Sequence, residues 1–183
     1  MTTWKSRGHR GDVLEDLINQ TNEFYQKQKL GRVDKINTPI KVVDIDSQGI
    51  IKKGFFEKKS TVDFLGIIQG IGVAFDAKET ANKSLPLINI HDHQIEYMKD
   101  IHEQGGLAFI ICHFSFCDEY FLIPYEMIQD HYDLAKKGGR KSIPYTAMVK
   151  SLEIKMKRNG ILDYLATLNA YLTYREGKGD HQW

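Results

Sequence analysis

Only two cysteines, Cys112 and Cys117, occur in the chain, both in or beside the apolar run LAFIICHFSFC. That number and setting exclude a disulfide framework of the kind that staples small secreted domains, and reduced thiols are expected. No apolar run approaches the roughly 20 residues a membrane helix needs. The opening MTTWKSRGHRGD lacks the apolar segment of a secretion signal, so a cytoplasmic location is expected. There is no internal repeat and no low-complexity linker, which excludes a solenoid or an array of modules. Net charge is also nearly absent, at a formal +1, although this sum conceals an uneven distribution.

What remains is an ordinary globular composition, 42% hydrophobic and 27% charged, in 183 residues. This suits one well-filled domain spanning residues 1–183. From Lys136 to Arg158 eight Lys or Arg face one acid, Glu153, and the first ten residues carry Lys5, Arg7 and Arg10 without an acid. From Gln94 to Asp133 the balance reverses, with eight acids against Lys99. A fold that separates these blocks presents one basic and one acidic face, which fits a polyanionic partner; solvated helix faces with no partner fit the same pattern.

Leu14, Leu17, Ile18, Thr21, Phe24 and Tyr25 recur at helical spacing and predict a helix from Gly11 to about Lys29. IKVVDID and IIKKGFF, joined by a turn at Ser47–Gly49, predict a β-hairpin over about 39–59, with Lys and Phe on its second arm. STVDFLG and IGVAFDAKE read as an antiparallel pair of strands around Gln69 and Gly70. NIHDHQIEYMKDIHEQGG reads as a helix stopped by Gly105 and Gly106, LAFIICHF as a central strand, and EYFLIP as another. IPYEMIQDHYDLAKKGG follows as a helix, and Val149 to Arg175 as mostly helical. The order predicts an α/β fold with a mixed central sheet flanked by helices.

Side chains alternate along a strand, so in GVAFDAKET Val73, Phe75 and Ala77 point one way and Ala74, Asp76 and Lys78 the other. If STVDF lies alongside, Asp63 joins Asp76 and Lys78 in a small volume. Two carboxylates and an ammonium suit a hard cation, because Mg²⁺ prefers carboxylate and water oxygens and stabilises charge on a phosphodiester. Spacing alone equally allows a salt-bridged strand end in which Lys78 neutralises Asp76 or Glu79. A zinc site from His91, His93, Cys112, His113 and Cys117 is disfavoured. His91 and His93 are two residues apart on a helix start and do not share a face.

STVDF, the ten-residue gap to FDAKET, and HDHQIEYM resemble the motifs of RecU-type Holliday junction resolvases, members of the restriction-endonuclease-like nuclease fold. RGDVLEDLINQTNEFY near the start and KKGGRKSIPY toward the end extend the likeness in collinear order over most of the chain. The resemblance implies a metal-dependent endonuclease that resolves four-way DNA junctions in recombination and repair, with Mg²⁺, or Mn²⁺ in its place. It implies that Asp63 and Asp76 are metal ligands, Lys78 the catalytic lysine, Glu15 an acid reaching toward the metal from the first helix, and Gln94 a glutamine near the active site. It further implies a homodimer, a protruding basic hairpin, and recombinase and branch-migration proteins as partners. The resembled pattern places Glu where this chain has Asp76, which bears on metal preference and rate. The hairpin between Pro39 and Lys59 is slightly shorter than the family's stalk.

Phosphate contacts are expected from Lys41, Lys52, Lys53, Lys58 and Lys59 on the hairpin, and from Arg10, Arg140 and Lys141 in the basic blocks. Phe55 and Phe56 either stack on unpaired bases or fill the core, while the lysines also serve to discourage edge pairing. Three functions stand: a junction-resolving nuclease, a restriction-type nuclease on linear duplex, and a noncatalytic junction-binding or recombinase-modulating module. The intact Asp63, Asp76 and Lys78 set favours an enzyme.

Overall fold

A computed structural model describes residues 9–56 and 61–177, without the side chains at 9–12 and 176. Helix α1 (His9–Lys27) buries Leu14, Ile18, Thr21 and Tyr25 along one stripe, as its periodicity predicts. It ends in a left-handed turn, Lys29 φ 58°, in which the Leu30 amide reaches back to the Tyr25 carbonyl at 2.9 Å. The chain then enters β1 (Gly31–Lys35), an edge strand absent from the sequence reading because only Val33 of GRVDK is buried. One inward residue leaves no periodic signal.

β2 (Ile40–Ile45) and β3 (Ile51–Phe56) form the expected hairpin, a separate two-stranded sheet among the described residues. β4 (Phe64–Ile68) and β5 (Ile71–Thr80) pair antiparallel. The strand predicted from STVDF thus begins one residue later than Asp63. A short β6 (Ser84–Pro86) and a 3-10 turn (Leu87–Asn89) lead into α2 (Asp92–Glu103). Next come β7 (Leu107–Phe114), β8 (Glu119–Pro124), α3 (Tyr125–Lys136) and β9 (Ser142–Pro144), which pairs with β6.

The stretch Val149–Arg175 departs from the helical expectation. A 3-10 turn (Lys150–Leu152), edge strand β10 (Glu153–Ile154) and a bridge between Met156 and Leu162 precede α4 (Tyr164–Gly177). The reason is the Asn159–Gly160 turn: Gly160 has φ 78°, and the Lys157 amide bonds the Ile161 carbonyl at 2.8 Å. Turn chemistry overrides the helix-forming Lys, Arg and Met around it.

The main sheet has the order β1-β4-β5-β7-β8-β10, and β5 with β7 is its parallel pair, joined across α2. The mixed central sheet flanked by helices is therefore as predicted. One face packs on α1 and α4 around Phe64, Phe75 and Phe109, whose rings stack across β4, β5 and β7 with centroids 5.0 and 4.7 Å apart. The opposite face, carrying Ala74, Ala108, Ile110 and Cys112, packs on α2 and α3. No helix among the described residues is long and apolar enough to cross a membrane.

Candidate active site

β4 pairs with β5 only as far as Phe64 opposite Phe75. Beyond that point β5 continues for five residues beside β7 alone, so the β4-facing edge of Asp76 and Ala77 has no strand partner. Side chains complete the ladder instead. The Ala77 amide donates to Asp63 Oδ2 at 3.0 Å, and the Asp63 amide donates to Asp76 Oδ1 at 3.1 Å. Each aspartate is thus fixed by the backbone of the other's strand, in the crevice where β4 leaves the sheet.

Asp76 is fully buried on the α2 face and satisfied from two further directions. Gln94 Nε2 donates to Asp76 Oδ1 at 3.0 Å and to Oδ2 at 2.9 Å, and Lys78 Nζ pairs with Oδ2. Gln94 itself is buried and held from the other side, its Oε1 accepting the His91 amide at 3.0 Å. One amide therefore ties the first turn of α2 to the carboxylate in β5. Strand alternation placed Asp76 and Lys78 on one face correctly, and the ion pair between them is the arrangement that spacing alone allowed. Glu79 lies on the opposite face, 3.4 Å from His113 Nδ1, and does not join the site.

Burial, and then the charge of Asp76, push the Asp63 carboxyl up to about 7. Two close carboxylates repel, and one Lys78 does not offset both. Among the described residues no three acid, histidine or cysteine side chains converge as a closed metal cage. Two carboxylates suffice for Mg²⁺, which keeps several waters and takes substrate phosphate oxygens as its other ligands. The raised Asp63 and the all-oxygen donor pair fit such a cation.

Glu15 does not touch either aspartate directly. It projects from α1 to Lys35, Oε2 to Nζ 2.6 Å, and Lys35 in turn feels the charge of Asp63. Lys35, raised mainly by its bond to Glu15, is the site residue that sequence reasoning missed, because β1 itself was missed. No sequence signal marked it, since Val33 is the one buried residue of GRVDK.

On the hairpin, Lys41, Lys52, Lys53 and Phe55 are all exposed; Lys58 and Lys59 lie outside the described residues, as does the side chain of Arg10. Phe55 is 53% and Phe56 71% exposed, so the core-filling alternative for these rings is wrong. Arg140 Nε donates to Ser142 Oγ at 2.8 Å, and Lys141 lines a cleft beside α2. Of the zinc candidates, His91 and His93 do share a face, against the expectation from their spacing, with ring centroids 5.4 Å apart, while Cys112 is buried in β7 and Cys117 is exposed in the turn beyond it.

Comparison with known proteins gives concordant matches. The family described as Recombination protein U matches residues 9–170. The chain is 39% identical over 167 residues to the Holliday junction resolvase RecU of Oenococcus oeni, covering 88% of this chain and 85% of that one. It is 38% identical over 178 residues to the protein of the same name from Latilactobacillus sakei, covering 94% and 84%. The protein of that name from Oceanobacillus iheyensis is 37% identical, with 88% and 85% covered. Among solved structures it is similar to Hjc, a Holliday junction resolvase of Archaeoglobus fulgidus. The TM-score is 0.40 and the identity 12%, over 64% of this chain and 75% of that one.

Proposed function

The chain belongs to the Recombination protein U family, and from that premise we infer that it is an endonuclease resolving four-way DNA junctions, with a divalent cation, Mg²⁺ or Mn²⁺, held by Asp63 and Asp76. The observation that carries this reading is the reciprocal bonding of the two aspartates, which fixes both carboxylates in one crevice with Lys78 beside them. When bound, the cation supplies charge stabilisation at a phosphodiester and lowers the pKa of a water.

The chain's own residues do the rest. Gln94 holds both oxygens of Asp76 and sets the plane of its carboxylate. Lys78 Nζ, beside that carboxylate at the partly exposed end of β5, donates to a nonbridging phosphate oxygen and offsets the charge that grows there during hydrolysis. Lys35, paired with Glu15, stands on the α1 side of the crevice within the field of Asp63. Exposed Lys41, Lys52 and Lys53 bind phosphates of the junction arms, and Phe55 offers a stacking surface at the branch point. Arg140 and Lys141 extend the phosphate-binding surface beyond α3.

The test is incubation of the purified protein with a labelled four-way junction and with a matched linear duplex, each with Mg²⁺ and with chelator. Cutting of the junction alone, and only with the cation, is expected. Junction binding without cutting under any metal would overturn the enzymatic reading in favour of a binding module. Equal cutting of the duplex would replace it with a restriction-type activity.

A further inference from the structure

A cleft of about 860 Å³ opens between the start of α2 and the end of α3, beside the active site but separate from its carboxylates. Its volume lies within the roughly 300–1,000 Å³ usual for small-molecule sites. Ile88, 84% exposed, stands at its rim. His91 and His93 present nearly parallel rings, 11° apart in plane with centroids at 5.4 Å. Across from them Tyr132 donates its hydroxyl to Asp92 at 2.5 Å, and Lys136 sits 4.3 Å from the centre of the Tyr132 ring. Lys141 supplies a second ammonium, and its carbonyl accepts the Leu87 amide at 3.1 Å, tying the two walls together.

This lining has the chemistry to take a nucleotide. Flat rings and an exposed aliphatic side chain suit the faces of a base, which stacks on aromatic groups irrespective of its identity. Two lysines suit its phosphate. Glu96, also in the lining, accepts from an exocyclic amino group and repels phosphate, so the base goes inward and the phosphate outward to Lys136 and Lys141. A duplex interior keeps its bases stacked. A branch point is where one becomes available at little energetic expense.

We propose that this cleft is a subsite for one unpaired nucleotide of branched DNA, the base against Ile88, His91 and His93 and the phosphate on Lys136 and Lys141. The proposal deepens the junction-cleaving reading and rests on it. Its position gives the subsite a catalytic consequence, because the His91 amide holds Gln94, and Gln94 holds Asp76. Base capture at His91 is thus two hydrogen bonds from the catalytic carboxylate, and branch recognition is read where cleavage is set up.

The test uses 2-aminopurine at successive crossover positions of a four-way junction, and separately in a single-stranded trinucleotide, both in chelator so that nothing is cut. The variants are Ile88→Glu and the pair Lys136→Ala with Lys141→Ala, on exposed side chains, with melting and sedimentation checked for each. Wild-type protein is expected to change the emission of one crossover position and of the trinucleotide. The variants lose that change, bind the trinucleotide about ten-fold more weakly, and discriminate junction from duplex about ten-fold less well when Mg²⁺ is added. Folded variants that keep the emission change would overturn the proposal. So would an Ile88→Glu protein whose only altered property is sedimentation, which would make the cleft a contact between protein copies. If wild-type protein captures the trinucleotide but neither binds nor cuts junctions, the nucleotide subsite stands and the junction-cleaving reading falls.

Discussion

Asp76 has no water-facing surface, yet both its oxygens are occupied by an amide, a backbone N–H and an ammonium. Asp76→Asn preserves the shape, removes the charge and sets a new NH₂ against donors. It is expected to lower cleavage by at least ~10³-fold, the scale of losing a preorganised electrostatic group, while junction binding in chelator stays close to wild type. Single-turnover cleavage and a binding isotherm check both halves. Asp63 also carries a stability expectation. Its carboxyl is pushed from 3.8 to about 7, so the folded state holds a proton that the unfolded chain has lost. Its contribution is therefore fully present below about 4 and declines as pH rises to about 7. Asp63→Asn is expected to abolish cutting and, in chelator at pH 8, to raise Tm by ~2 °C or more, the effect of about 1 kcal/mol in a chain of this size. The gain should shrink toward pH 4, and thermal melts across that range measure it. At this scale the sequence was informative where strand alternation applied: Asp76 and Lys78 follow from it. Gln94 came only from resemblance, because no periodicity says that a helix side chain will bond a strand 18 residues earlier.

Elements with a long apolar period, α1, α2, β5 and β7, were legible; edge strands β1 and β10 were not. An edge strand buries one or two side chains and takes its place from its neighbour's hydrogen bonds, which lie outside its own sequence. The β1–β4 pair has a sharper requirement in Gly66, where an added Cβ would lie 2.1 Å from the Arg32 carbonyl oxygen. Gly66→Ala is expected to destabilise the fold by about 1–3 kcal/mol, since backbone must move, and denaturant unfolding measures it. A larger fractional loss of cleavage than of folded protein would show that β1 also holds Lys35 and Asp63 in register. Among the described residues the β2–β3 hairpin forms no strand pairing with the main sheet. Neutralising Lys52 and Lys53 together should leave stability within about 0.5 kcal/mol. It should reduce the slope of log affinity against log salt by about 2, one for each lost phosphate contact. An unchanged slope would remove the hairpin from the DNA interface.

Among the described residues there is one candidate metal site, while a four-way junction is approximately two-fold symmetric and needs two matched nicks. A C2 homodimer supplies two related sites from one patch meeting itself. Sedimentation at working concentration is expected to give a dimer, and a cruciform plasmid is expected to be linearised without accumulating nicked circles. A monomer yielding mainly nicked circles would contradict this. Relaxed plasmid lacking the cruciform should stay uncut.

The self-paired hairpin has one further consequence. β1 and β4 are antiparallel neighbours, Lys35 opposite Phe64, and the β2–β3 hairpin lies between them in the chain, an arm set into their connection. The arm's two roots are clasped by a 2.7 Å bond from the Ile36 amide to the Asp63 carbonyl. Asp63 therefore joins the arm's root through its backbone and the aspartate crevice through its side chain. A substitution that displaced the arm's root would therefore be expected to displace the Asp63 carboxylate with it.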